Sequence, residues 1–234
     1  RPGGTGANVA IALASTGTAV HFVSYLGDDE LSHALDEHLK GSDIATLYTP
    51  VIPGPVSHVA IPVDEQGERT IVVIADDKLD QVSLAGLPIN TGDIVAFVIW
   101  RNNFVKDLEI AQKAGAITVV GSAALTDPQV LRADYLIGSR DDFSGDYSVE
   151  HALTRFTHVV VTSVAEGATF YSAQGSIFQP AEETEVVDTT GAGDTFAGGF
   201  IGYLAKVGTI NFNNMKNAII YGSALASFCV EKFG

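Results

Sequence analysis

Apolar and polar positions follow three successive patterns along the chain. The first 40 residues read helix, strand, helix. "NVAIALAST" (8–16) carries small apolar residues at helical spacing and stops at Gly17, which predicts a helix closed by a glycine. "AVHFVSYLG" (19–27) alternates and predicts a strand. "DDELSHALDEHLK" (28–40) has acids in its first turn and Lys40 in its last, the polarity a helix dipole favours.

Residues 44–76 change character. "VSHVAIPV" (56–63) and "RTIVVIA" (69–75) are β-rich and predict a hairpin through "DEQGE" (64–68). Pro50, Pro53, Pro55 and Pro62 confine these runs to edges, so the stretch predicts a small β element beside a main sheet. From residue 93 the rhythm is β-α. "DIVAFVIW" (93–100), "ITVVGS" (117–122), "YLIGS" (135–139) and "HVVVTSV" (158–164) are near-continuous apolar runs, as in parallel strands covered on both faces. "FVKDLEIAQKAG" (104–115) and "SVEHALTRF" (148–156) predict helices between them. "ATFYSAQGSIFQP" (168–180) predicts a hairpin turning at Gln174–Gly175, and two helices follow over 191–206 and 213–232. The whole predicts one layered α/β domain over 1–234, with no internal repeat.

Composition narrows the function. Thirteen Lys+Arg face 28 Asp+Glu, a formal net charge of −15. Such a surface repels nucleic acid and anionic membranes. No apolar run is long enough to span a bilayer. Cys229 is the single cysteine, so no intrachain disulfide can form, and a cytoplasmic location is expected. The six histidines show no metal-ligand spacing, and Cys229 sits on an apolar helix that predicts a core position.

Chemistry concentrates in "VVDTTGAGDTFAGG" (186–199). A glycine-rich turn opens a helix there. The first N–H groups of a helix lack intrahelical partners, and that end is positive. Gly191 and Gly193 let a ligand approach the backbone, which together makes an anion pocket, most often for phosphate. A carboxylate there, Asp194, repels the anion unless it acts on something beside it. A base that takes the proton of a hydroxyl attacking phosphorus meets that requirement. "PGGTGANVAIA" (2–12) is a second glycine turn before a small-residue helix, with Asn8 able to donate and accept towards a polyol. It lacks the third glycine of a dinucleotide fingerprint, and the chain has no Walker-type lysine loop.

These two signatures, in this order and separation, resemble those of the ribokinase-like, or PfkB, carbohydrate kinases. "VSYLGDDELSHALDEHL" (23–39) and "GERT" (67–70) extend the likeness over the whole chain. The resemblance implies a three-layer α/β/α sandwich with a mostly parallel sheet and a β lid at about 44–76. It implies an ATP- and magnesium-dependent kinase acting on a hydroxyl of a sugar or a nucleoside, with a homodimer formed through the lid. Asp194 would be the base, and Gly191, Ala192 and Gly193 the anion hole. Gly4, Gly6 and Asn8 would hold substrate hydroxyls. Gly222, Ser223 and Ala226 would leave room for adenine, and Thr162, Gly167 and Thr189 would also border the nucleotide.

Some positions depart from the family. Its N-x-x-E element falls on "SRDD" (139–142), with Ser139 for Asn and Asp142 for Glu as the metal-linked acid. Arg140 there has phosphate or Asp141 as its partner. T-x-G-x-x-G appears as "TSVAEG" (162–167), with Val164 for the first glycine. Arg101, at the end of a predicted strand, is a candidate substrate contact. The family carries a sugar-gripping Asp on a strand before the GG motif and continues past the position of Gly234, so both ends are expected to lie outside this chain. A non-catalytic sugar- or nucleotide-binding module is the alternative class, favoured by Ser139 and Val164 and opposed by Asp194 with its glycines.

Overall fold

The computed structural model describes residues 2–60, 72–75, 77–163, 165–208 and 211–231. At its centre, four parallel strands read from the apolar runs lie side by side. They are β5 (Ile94–Phe97), β6 (Ile117–Gly121), β7 (Ala133–Ser139) and β8 (Phe156–Ser163). β9 (Gly167–Ser172) and β10 (Gly175–Pro180) continue the sheet antiparallel, in the order β10-β9-β8-β7-β6-β5. Gly175 pairs with Ser172, so the hairpin turns on Ala173 and Gln174, one residue earlier than predicted.

Alternation along the strands sorts the core into two layers. Val120, Leu136, Val159 and Val161 pack with Leu108 and Ala111 of α3 (Val105–Lys113) and with Ala152 of α4 (Val149–Ala152). Val119, Tyr135 and Val160 face the other way. They meet Phe196, Phe200 and Ile201 of α5 (Ala192–Val207) and Met215 and Ile219 of α6 (Phe212–Val230). The result is a three-layer α/β/α sandwich.

α1 (Thr5–Ser15) lies along α5. A Cβ on Gly198 would stand 2.6 Å from the Ala12 Cβ and 2.8 Å from the Val9 carbonyl. Only glycine permits that approach, which sets how the two helix starts meet.

Three predicted elements differ. Of 19–27, only β1 (Val20–His21) is strand, paired in parallel with β2 (Ile44–Ala45). Beyond it Tyr25 and Leu26 are both buried, so inward–outward alternation fails there. The helix expected over 148–156 is the single turn α4, because the N–H groups of Thr154 and Arg155 close tight turns onto the His151 and Ala152 carbonyls and β8 already starts at Phe156. The β element is narrower than 44–76. β2 belongs with β1, and the antiparallel ribbon is β3 (His58–Ala60) with β4 (Val72–Ala75). Val59, Val72, Val73 and Ile74 are exposed on it. The predicted turn at 64–68, Pro62 and "GERT" lie outside the described residues. α2 (Glu30–Gly41) follows its prediction, with Asp29 accepting from the Ser32 N–H as its N-cap. Among the described residues no helix is long and apolar enough to cross a membrane.

Candidate active site

Two helix N-termini converge on one cavity. The loop before α5 is pinned to the end of α6, where the N–H groups of Val187 and Asp188 donate to the Val230 carbonyl at 2.8 and 3.1 Å. Asp188 then accepts from the Thr190 N–H and hydroxyl at 2.9 and 2.7 Å. That turn delivers the chain to Gly191, whose φ of 80° is left-handed, and α5 starts there. A Cβ on Gly193 would meet nothing within 4 Å, so the first turn of α5 faces open space. On α1 the N-cap is Gly4, at φ 94°.

Between them lies a cavity of about 170 Å³. Thr5, Gly193 and Asp194 border it on one side. Gly121, Gly138, Ser139 and Thr162 border it from the C-terminal ends of the parallel strands, the usual ligand edge of an open α/β sheet.

Asp194 is the charged side chain of this cavity. Asn8 Nδ2 donates to its Oδ2 at 2.8 Å, from a residue 186 positions away. Burial pushes the Asp194 carboxyl up from its ordinary range, and the Asn8 hydrogen bond draws it partly back. A carboxylate so raised is a better base than a solvated one. Asn8→Ala removes the donor that favours the charged form. It is expected to move the acidic limb of kcat/KM to higher pH, and an unmoved limb would show that the bond does not tune Asp194.

A model of the pfkB family of carbohydrate kinases matches residues 1–234. The chain belongs to that family. It is 27% identical over 257 residues to the ribokinase of Staphylococcus aureus (strain COL), covering 99% of this chain and 83% of that protein. Its fold matches aminoimidazole riboside kinase from Salmonella enterica, solved with aminoimidazole riboside and an ATP analog. There the TM-score is 0.84 at 20% identity, over 99% of this chain and 86% of that one. Fructokinase from Vibrio cholerae O395, bound to fructose, ADP and calcium ion, matches with a TM-score of 0.82 at 20% identity, over 99% and 86% of the two chains.

Against that family background the predicted site residues separate. Asp194, Gly193, Ser139 and Thr162 border the cavity, and Gly4 and Asn8 adjoin it through Thr5 and Asp194. Gly6 packs instead towards the Phe22 ring, 3.5 Å from where its Cβ would stand. Arg101 does not border the cavity. Its guanidinium holds Asp77 at 2.5 Å and the Trp100 carbonyl at 2.9 Å. The room expected at Gly222 is filled by α5, since a Cβ there would stand 2.9 Å from the Phe196 carbonyl. Ser223 is buried beside it, and Ala226 packs on the α5 side of the core. Gly167 is required by its own hairpin, where a Cβ would stand 2.1 Å from the Gln179 carbonyl. The Thr189 carbonyl accepts from the Ala192 N–H at 3.2 Å. Val164 lies outside the described residues.

The two departures at 139 and 142 are linked. Asp142 Oδ2 accepts from the Ser139 N–H at 2.8 Å and its hydroxyl at 3.1 Å, a reciprocal capping box. The protein partner of Arg140 is Glu166 and not the expected Asp141. Cys229 is half-buried rather than core, with Sγ 3.6 Å from the Thr190 carbonyl behind the glycine loop. Composition gave no signal for Glu166 or for the Asn8–Asp194 bond.

Proposed function

We propose that the chain transfers the γ-phosphoryl group of ATP to a hydroxymethyl group of a sugar or sugar-like molecule, with Asp194 as the general base. The observation that carries this reading is a half-buried carboxylate, held by Asn8, set in the first turn of a glycine-capped helix at the strand ends. A pure binder of anions has no use for an acid there.

Each residue then has a task. Asp194 takes the proton of the acceptor hydroxyl as its oxygen forms the new bond to phosphorus. Asn8 keeps the carboxylate aimed. The N–H groups of Gly191 and Gly193 receive the charge that develops on the phosphoryl oxygens, while that of Ala192 is engaged by the Thr189 carbonyl. ATP, when bound, supplies the phosphoryl group, and the bond to its β–γ bridging oxygen breaks with the electron pair leaving on ADP.

Magnesium is the divalent ion of this reading. Among the described residues no three His, Cys, Asp or Glu side chains gather as a metal cage. That suits magnesium, which takes one or two carboxylates and completes its shell with water and phosphate oxygens. Asp142 fits: Ser139 holds its Oδ2, which leaves Oδ1 to the ion or its water. Asp142→Ala is expected to raise the magnesium concentration for half-maximal rate by roughly 10–100-fold. An unchanged magnesium dependence would remove Asp142 from the metal site.

The acceptor is tested directly by offering the full-length protein ATP and magnesium with ribose, fructose, 5-dehydro-2-deoxygluconate, adenosine and aminoimidazole riboside. ADP and a phosphorylated product should form together with at least one of them. Binding of ATP and sugar with no turnover across the panel would instead favour a non-catalytic binding module.

A further inference from the structure

The cavity has an unmet electrostatic need. Among the described residues, those that border it include an acid, Asp194, and no Lys or Arg. The chain as a whole carries a formal net charge of −15. A polyphosphate entering that field is repelled, and helix N-termini offset the repulsion only over a short range.

One guanidinium is placed to help. Arg140 follows Ser139, the last residue of β7, and Ser139 pairs with Thr162 on β8. Both of those residues border the cavity. Glu166 sits in the turn between β8 and β9, its backbone fixed by bonds from its N–H to the Ser163 carbonyl (2.8 Å) and from the Ala181 N–H to its own carbonyl (3.2 Å). Arg140 Nη1 and Nη2 donate to Glu166 Oε1 and Oε2 at 2.6 and 2.5 Å. This fork-on-fork geometry is also the one a guanidinium uses on phosphate. The two side chains are 57% and 61% exposed, and an exposed pair of this kind is cheap to separate. Neighbouring arginines are committed elsewhere, Arg101 to Asp77 and Arg155 to backbone carbonyls.

We propose that Arg140 is a phosphate contact of the nucleotide site, and that Glu166 is its resting partner, exchanged for phosphate when nucleotide binds. This rests on the kinase reading above. Glu166 acts as a built-in competitor: it keeps the guanidinium extended and placed, and lowers nucleotide affinity by the cost of its release.

The proposal predicts opposite signs for two substitutions that break the same ion pair. In calorimetric titration of the full chain with ADP and magnesium, Arg140→Gln should weaken binding by roughly tenfold. Glu166→Gln keeps size but removes the competing charge, and should tighten binding by up to about fivefold. A mere surface staple between two loops would respond the same way to either change. Shifts of the same sign, or no shift in either variant, therefore overturn the proposal while leaving the kinase reading intact. Wild-type protein that binds no ADP at all would overturn both.

Discussion

Asp194→Asn is expected to lower turnover by roughly 10²–10⁴, the usual worth of general-base help. The loss should appear equally in kcat and kcat/KM, because proton transfer matters in the transition state and not in ground-state binding. ADP affinity should survive, since the amide oxygen of Asn can still accept from Asn8 and the glycine turn is untouched. The same substitution should stabilise the fold at neutral pH. Burial raises the folded-state pKa of Asp194 above its unfolded value. Folding therefore favours the protonated acid, and stability falls as pH rises through the raised pKa. Asparagine does not ionise and escapes that loss. The melting temperature of the variant should exceed that of the wild type at neutral pH and converge with it in acid. A variant that turns over normally is incompatible with a catalytic Asp194, and one less stable at neutral pH contradicts the buried-charge argument.

Gly198→Leu should damage fold and rate together. Its Cβ would press on Ala12, on the Val9 carbonyl at 2.8 Å and on the Leu13 nitrogen at 2.9 Å. Two of these are backbone atoms that cannot rotate away, so α1 and α5 must separate. Overpacking of this kind costs about 1–3 kcal/mol. In a chain of this size that lowers the melting temperature by roughly 2–12 °C. The Asn8–Asp194 bond spans the same two helices. A displacement of about 1 Å there should cost on the order of 10²-fold in kcat. Gly41→Ala is the control, since a Cβ at Gly41 meets nothing within 4 Å. It should change neither quantity. If Gly198→Leu melts with the wild type, the close helix approach does not set the site.

What could be read from the chain was mostly local. The four parallel strands announced themselves as continuous apolar runs, and the left-handed Gly191 before α5 was implied by a glycine turn opening a helix. Burial patterns that break alternation were harder: Tyr25 and Leu26 are consecutive and both buried, so strand alternation misled there. Small residues were ambiguous for a physical reason. A glycine that admits a ligand and one that admits a helix look alike in sequence, and Gly222 proved to be the second kind. Side-chain partners far apart in the chain left no local trace. Nothing local to Asn8 signals the Asp194 it holds, and nothing local to Arg140 signals its pairing with Glu166.

The central claim is that Asp194 must be ionised to act as the base. The pH dependence of kcat/KM with a turned-over sugar tests it most directly. Because the active form is the carboxylate, the wild-type rate should rise with pH through a single ionisation set above the ordinary aspartate range, the direction in which burial moves Asp194. The residual rate of Asp194→Asn should lack that limb. A limb that persists unchanged in Asp194→Asn would assign the ionisation to another group and contradict the account.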